Sequence, residues 1–528
     1  MAIVCGYGTK GFGFFVAERN PRTFREPQGG SSGKLLVEDG VDESTPRRRT
    51  PVEAIREPEI PSQTDWTFLV YLDGDNNLES AAIDDFLEMS SVGSDAHVKI
   101  VVLLDRHPCD GNCSDPSCPT PCTAGHYSHQ YGDWAGTRRG IINAGDVPTG
   151  TWGTSIGEAN MGATQTLVSF VEWGMQTYPA SYYAVVFWNH GGGWRRRAPA
   201  EEPLPFKAVC WDETDGNNTL EMKEVRNALQ IIETDEQEPD LVGFDACLMG
   251  MVEVAYEIRE HGSVMVGSEK TEPNDGWPYD TILTDLVGNP AMSAADLGST
   301  IVSRYYQSYG NSEILSAIDL ASVDVLATRT DSLAQTLRDH WNNNVGACVE
   351  EAADVMVAVD TAVITEAHGA TWPGSHGLAI YFPENSGDFN ADYNGTNILF
   401  ADDTRWEEFH QDFYASMGGS WVADARAQSQ EYDASGAAGH QGWHIDLYDF
   451  GRKLIDNATG VVWVDFNYAG AENGTFDEPY NTLAEGVAAA NAGDTICIKP
   501  GSSPETITIT KAVTLRACGG PATIGKQP

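Results

Sequence analysis

Apolar residues fall into short unbroken runs separated by stretches with helical spacing. WTFLVYL (Trp66–Leu72), KIVVLL (Lys99–Leu104), YYAVVFW (Tyr182–Trp188) and DLVGFDA (Asp240–Ala246) are continuous rather than alternating, the pattern of strands buried on both faces. Between them GATQTLVSFVEWGMQ (Gly162–Gln176) and TLEMKEVRNALQII (Thr219–Ile232) repeat apolar positions every three to four residues and predict helices. Strands alternating with helices predict an α/β domain whose mostly parallel sheet is covered on both sides. After the first strand, DGDNN predicts a turn and LESAAIDDFLEM a helix capped by Asn76, with Glu79 three residues on. Strand and helix signals continue through SEILSAIDL and GLAIYFP to a helix expected near Arg405–Met417.

The flanks read differently. Residues 1–63 carry Gly, Pro, Arg and Glu without sustained periodicity and predict a flexible leader; residues 418–455, rich in Gly, Ala, Ser and Asp, predict a linker. From 456 to 528 a strand, a short helix and the alternating runs TITIT and VTLRA resemble the start of a right-handed parallel β-helix. Such a solenoid needs about three repeats to bury its face, so a truncated one is expected here.

With 528 residues, more than one domain is expected, and 41% hydrophobic content fits a folded chain. The 77 acidic residues outnumber 32 Lys plus Arg for a formal charge of −45, which disfavours nucleic acid and anionic membranes and suits cationic partners. No apolar run approaches the ~20 residues that span a bilayer. Met1–Asn20 lacks the features of a signal peptide. Four of the ten cysteines, Cys109, Cys113, Cys118 and Cys122, crowd an insertion at 107–126; two local disulfides or a zinc knot would staple it, and disulfides imply an oxidising compartment.

Two strand ends carry candidate chemistry: VVFWNH stops at His190 and LVGFDAC at Cys247. On neighbouring parallel strands they bring an imidazole to a thiol, the pair that nucleophilic cysteine catalysis requires. Gly191–Gly193 allow close backbone approach and amide donors for an oxyanion, and Cys247 adds its own N–H. The same residues taken singly also suit a structural histidine and a buried thiol.

NHGGGW, DACLMG, YLDGDNNLE and SEKTEPNDGWPY, in this order, resemble the clostripain family of cysteine peptidases over about Trp66–Met417, within a peptidase domain set at 64–417. The resemblance implies a caspase-like fold, His190 and Cys247 as the dyad, Gly191 and Cys247 as oxyanion amides, and cleavage after Arg and secondarily Lys. It also implies Asp245 in the specificity pocket, with Asp275 as a second acid and Trp277 as an apolar wall. Arg195, Arg196, Arg197 and Lys207, between the two catalytic strands, are then candidate sites of self-cleavage, and Arg47–Arg49 a site for removing the leader. No cofactor is needed for the chemistry; the resemblance allows calcium without identifying ligands. Asp73, Asp75 and Asn77 match the start of a calcium loop, but the glycine and terminal glutamate of an EF-hand are out of register and helix capping accounts for them. A secreted or cell-surface protein acting on Arg- or Lys-containing substrates is expected, with oligomeric state open. The alternative is a catalytically inactive surface protein, carbohydrate-binding or adhesive, in which the β-helix acts; a zinc hydrolase is disfavoured because no second ligand pair accompanies His190 and Cys247.

Overall fold

Trp66, Phe68, Val70 and Leu72 face one apolar core while Leu69 and Tyr71 face another, so consecutive residues of a single strand serve two layers. That alternation explains why the strand reads as an unbroken apolar run. The computed structural model describes residues 64–107, 130–132, 134–194, 209–344, 346, 348–417, 420–432 and 443–525, all within one compact unit. The predicted leader, the insertion cysteines Cys109, Cys113, Cys118 and Cys122, and Arg195, Arg196, Arg197 and Lys207 lie outside the described residues.

In chain order the strands are β1 (Thr64–Gly74), β2 (Val98–Arg106), β3 (Thr137–Ile141), β4 (Thr154–Gly157), β5 (Ala180–Trp188), the hairpin β6 (Val209–Asp212) and β7 (Asn218–Leu220), β8 (Leu241–Asp245), β9 (Val264–Gly267), β10 (Ile314–Asp319) and β11 (Val363–His368). Nine of them form one sheet in the order β11-β10-β9-β8-β5-β1-β2-β3-β4. The central five, β2, β1, β5, β8 and β9, run parallel, and the outer pairings β9–β10, β10–β11, β2–β3 and β3–β4 are antiparallel. Helices α1 (Glu79–Val92), α2 (Thr164–Thr177), α3 (Met222–Asp235) and α4 (Val252–Ile258) connect them. Apolar side chains of α1 join the core on one face, and those of α2, α3 and α4 join the other. The α/β expectation therefore holds. β2 lies on one side of β1 and β5 on the other, so the strand order reverses between β1 and β5, and ligands gather outside the carboxyl ends of strands at such a reversal.

The turn after β1 differs from the predicted cap. Asn76 accepts from the Leu78 amide at 2.8 Å, whereas Glu79 reaches across to Arg106 Nε at 2.7 Å in an ion pair with both side chains 1% exposed. Arg106 also donates to the Gly132 carbonyl and lies over the Trp134 ring.

The predicted linker is corrected. Within 418–455, the helices Trp421–Gln428 and Leu447–Asn457 pack into the main core, and the strand His444–Asp446 pairs antiparallel with Ala379–Tyr381. Leu447, Phe450 and Leu454 recur at helical spacing and are fully buried. The small-residue composition that suggested a linker is concentrated in 433–442, outside the described residues.

Farther on, Val461–Val464, Thr495–Ile498 and Thr514–Ala517 stack as three parallel strands, and Cys497 is disulfide-bonded to Cys518. This layer attaches to the helix Val349–Ala362 through Arg516–Glu350 at 2.7 Å and the Gly519 amide to Asp354 at 2.9 Å.

Removing one partner of a buried ion pair strands the other charge. Arg106→Met should cost about 3–5 kcal/mol in urea unfolding; a loss under about 1 kcal/mol would show that Glu79 is neutral or repartnered.

Candidate active site

β5 and β8 pair in parallel with Trp188 opposite Asp245, and the Asn189 amide continues the ladder by donating to the Asp245 carbonyl at 3.3 Å. His190 and Cys247 each lie two residues beyond the last pair of that ladder. Both residues line one cleft, together with Leu78, Trp188, Asn189, Asp245, Ala246, Glu272, Pro273, Asn274 and Gly276. The two strand tips read from the sequence thus meet at one opening.

Gly191 shows how closely the chains approach. A Cβ there would stand 2.4 Å from the Cys247 carbonyl oxygen and 3.0 Å from its amide nitrogen. Only glycine lets this segment lie against the Cys247 backbone. Gly193 adds a positive φ of 66°, and a side chain there would strike the Met251 sulfur.

The imidazole is held from the opposite side. Asn77 Oδ1 lies 2.7 Å from His190 Nε2, and the Trp211 ring sits 5.5 Å from the imidazole centroid. Asn189 is locked in turn: its side-chain amide donates to Asp73 Oδ2 at 2.7 Å, to the Asp73 carbonyl at 2.9 Å and to the Trp211 carbonyl at 3.2 Å. An Asn77 carbonyl accepting from Nε2–H leaves Nδ1 as the basic nitrogen.

Cys247 is half-buried, and its sulfur accepts from the Glu272 amide at 3.3 Å. Loss of hydration pushes its thiol up to about 12, the Glu272 amide opposes this, and the Glu272 and Asp245 carboxyls add to the rise. The acids beside it form a wall. Asp245 is 4% exposed and accepts from the Trp277 amide at 3.0 Å and the Tyr279 hydroxyl at 2.9 Å; burial nonetheless raises it to about 7. Glu272 is raised by burial and then by Asp245, and Asp85, which accepts from Trp188 Nε1 at 2.5 Å, is raised by burial and then by Asp245. The arrangement gathers carboxyl groups whose charged forms are disfavoured by burial beside a thiol whose anion is disfavoured too, with Lys270 acting against the rise at the thiol.

Of the remaining expected residues, Asp275 is exposed on the loop between two cleft-lining residues, Asn274 and Gly276. Trp277 is fully buried behind the acids: its ring fills the space left by Gly243, where a Cβ would come within 2.8 Å, and its Nε1 donates to Glu272 at 3.2 Å. It supports the acidic wall from behind, and Leu78 and Trp188 supply apolar lining. Asp85, Glu272 and Trp211 were not singled out from sequence, and Asn77 drew notice only as part of a calcium-loop or capping pattern. Glu272 falls inside the SEKTEPNDGWPY motif, whereas Asp85 carries no signal beyond a helical position that turns inward.

Beside the cleft, Asp75, Asp105, Glu158 and Asp212 bring one carboxylate oxygen each within 4.8 Å of one another. An all-oxygen set suits a hard divalent cation, so the calcium allowed by the family resemblance finds a fitting donor group drawn from separate segments instead of one EF-hand loop.

The Clostripain family profile matches residues 70–364, more than half of the chain. Clostripain of Hathewaya histolytica is 31% identical over 227 residues, which are 41% of this chain and 41% of that protein, so the chain spans about two fifths of the length of this curated relative. Among solved structures, a secreted C11 cysteine protease from Bacteroides thetaiotaomicron in complex with an irreversible peptide inhibitor is similar at 20% identity and a TM-score of 0.47, covering 65% of this chain and 99% of that one. An inactive zymogen C11 protease from Parabacteroides distasonis is similar at 18% identity and a TM-score of 0.42, covering 61% of this chain and 93% of that one. On the strength of the profile match, which embraces His190, Cys247 and every strand from β2 to β10, the chain belongs to the clostripain family of cysteine peptidases.

Proposed function

We propose that this protein is an endopeptidase that cuts after Arg, and secondarily Lys, through a thioester formed on Cys247. The observation that carries this reading is the shared cleft of His190, Cys247 and Asp245.

In the empty cleft the thiol keeps its proton because burial and neighbouring acids oppose a sulfur anion. A cationic side chain entering beside Asp245 and Glu272 favours their ionised forms against burial, is held by the carboxylates so formed and favours the sulfur anion beside them. His190 Nδ1 takes the proton, Sγ attacks the scissile carbonyl, and the imidazolium returns the proton to the leaving amine. Water then hydrolyses the thioester with the same base. The Gly191 and Cys247 amides are the proposed oxyanion donors, a role favoured by the close approach of these two backbones. Asn77 is a positioning residue that fixes the imidazole tautomer. Thiol, imidazole and amides supply each step without a cofactor.

Self-cleavage at Arg195, Arg196, Arg197 or Lys207 belongs to the same proposal, since these residues connect the His190 segment to β6 and carry the side chains the acidic wall would select. Secretion is also proposed; the Cys497–Cys518 disulfide supports an oxidising compartment. Among the described residues, no helix is long and apolar enough to cross a membrane.

Three outcomes are expected. In paired fluorogenic peptides, Arg should exceed Lys, and both should exceed Asp and Leu by at least about a hundredfold, the scale set by one charge-assisted contact of about 3 kcal/mol; equal rates for Arg and Leu would refute the specificity. Asp245 titrates near 7, so its attraction for Arg is lost as pH falls through that value. The Arg-to-Leu ratio of kcat/KM should therefore climb between about pH 6 and 8 and become flat in Asp245→Asn. Intact mass spectrometry should find two chains in the purified wild-type protein and one in Cys247→Ala; identical masses for both would end the self-processing idea.

A further inference from the structure

Arg139, on β3, is set apart by what it lacks. Every other described arginine is ion-paired with a carboxylate, except Arg138, whose guanidinium donates to the Trp152 and Gly153 carbonyls. No hydrogen bond or ion pair meets the Arg139 guanidinium among the described residues, although the chain carries 77 acidic residues against 32 Lys plus Arg. It lies instead over the Trp173 ring, with Cζ 4.3 Å from the centroid. Trp173 is itself fixed on α2, stacked with Phe170 at 6.4 Å and met edge-on by Tyr178 at 6.0 Å. A guanidinium placed flat on a ring keeps the N–H donors at its edge for a planar anion. Partial burial lowers the Arg139 pKa, so the cation stands half out of water without a counter-charge.

The surroundings of Arg139 form a notch. Leu103 of β2 is opposite Arg139 in the sheet, and Leu103 belongs to the core that α2 covers. Beyond β2 the sheet overhangs the helix, since no described residue of β3 or β4 joins that core. Between overhang and helix lies a cavity of about 220 Å³, lined by Leu103, Phe170 and Ile156 as apolar surface and by Arg139, Gln165 and Ser169 as polar groups. Leu103 and Phe170 are buried, whereas Ile156 is 41% exposed, an apolar side chain left partly uncovered. Gln165 donates to Ser169 at 3.1 Å, so these two polar groups are paired with each other and Arg139 is the one left over. The volume is below the ~300–1,000 Å³ of sites for drug-sized ligands, and suits a body about the size of one aromatic or branched aliphatic side chain.

We propose that this notch binds a small organic carboxylate, whose apolar body rests on Leu103, Phe170 and Ile156 and whose carboxylate pairs with Arg139. Charge and shape select together: the cation requires an anion, and the apolar lining requires that the anion carry a compact hydrophobic body. A guanidinium edge takes both oxygens of a carboxylate at once, which an amide or alcohol does not offer. The notch shares no lining residue with the cleft of His190 and Cys247, so the proposal does not rest on the peptidase reading and stands or falls without it.

The test is calorimetric titration of the full chain at neutral pH with sodium phenylpropionate, with phenylpropanamide and sodium acetate as matched compounds lacking the charge and the apolar body. One phenylpropionate per chain is expected with a dissociation constant below about 1 mM, and the two matched compounds should bind at least tenfold more weakly. Arg139→Gln should weaken phenylpropionate at least tenfold, the scale of one lost charge-assisted contact. Ile156→Ser, at an exposed position of β4, should weaken it at least about fivefold and keeps the test decisive if Arg139→Gln does not fold. No binding of phenylpropionate overturns the site. Equal binding of the amide overturns the role of Arg139, equal binding of acetate overturns the apolar body, and unchanged affinity in Arg139→Gln or Ile156→Ser places any binding elsewhere and overturns the assignment.

Discussion

Parallel pairing of β5 with β8 is the constraint on which the rest depends. Trp188 opposite Asp245 leaves each strand two residues short of His190 and Cys247, and the two residues line one cleft. A slip of one residue would turn the side chains to the wrong faces. The glycine at 191 follows from this geometry, because the incoming segment lies against the Cys247 backbone with no room for a side chain. Leu248, just after Cys247, has a φ of 65°, a left-handed turn at a non-glycine residue. Such local cost is tolerated where the surrounding structure over-determines it.

Electrostatics give the cleft its character. Burial raises Asp85, Asp245 and Glu272, and Asp245 raises the other two further, while Glu272 and Asp245 in turn oppose a sulfur anion on Cys247. An acidic pocket next to a thiol is poor design for an empty enzyme and good design for one that meets a cation first. In the proposed reading, substrate charge contributes to reactivity as well as to binding, which links specificity to the chemical step. The overall charge of −45 acts in the same direction at longer range.

The central strands were legible because burial on both faces writes unbroken apolar runs, as in Trp66–Leu72. His190 and Cys247 were legible because each ends such a run beside a distinctive motif. Residues 418–455 were misread because composition averaged over a window hides an amphipathic helix such as Leu447–Asn457. Asp75 illustrates a different limit. Its neighbours in sequence suggest a helix cap, and its neighbours in space, Asp105, Glu158 and Asp212, come from segments that no local pattern joins. The contacts of Asn77 and Asp85 were hidden for the same reason, since each acts on a residue about a hundred positions away.

The most direct measurement is a crystal structure of the protein after reaction with an Arg-terminated peptidyl electrophile. The account predicts one adduct, a bond from Cys247 Sγ to the inhibitor carbon, with the His190 ring beside the sulfur and the guanidinium against Asp245 and Glu272. A label on Cys210 or Cys348, or a guanidinium directed away from those acids, would contradict it.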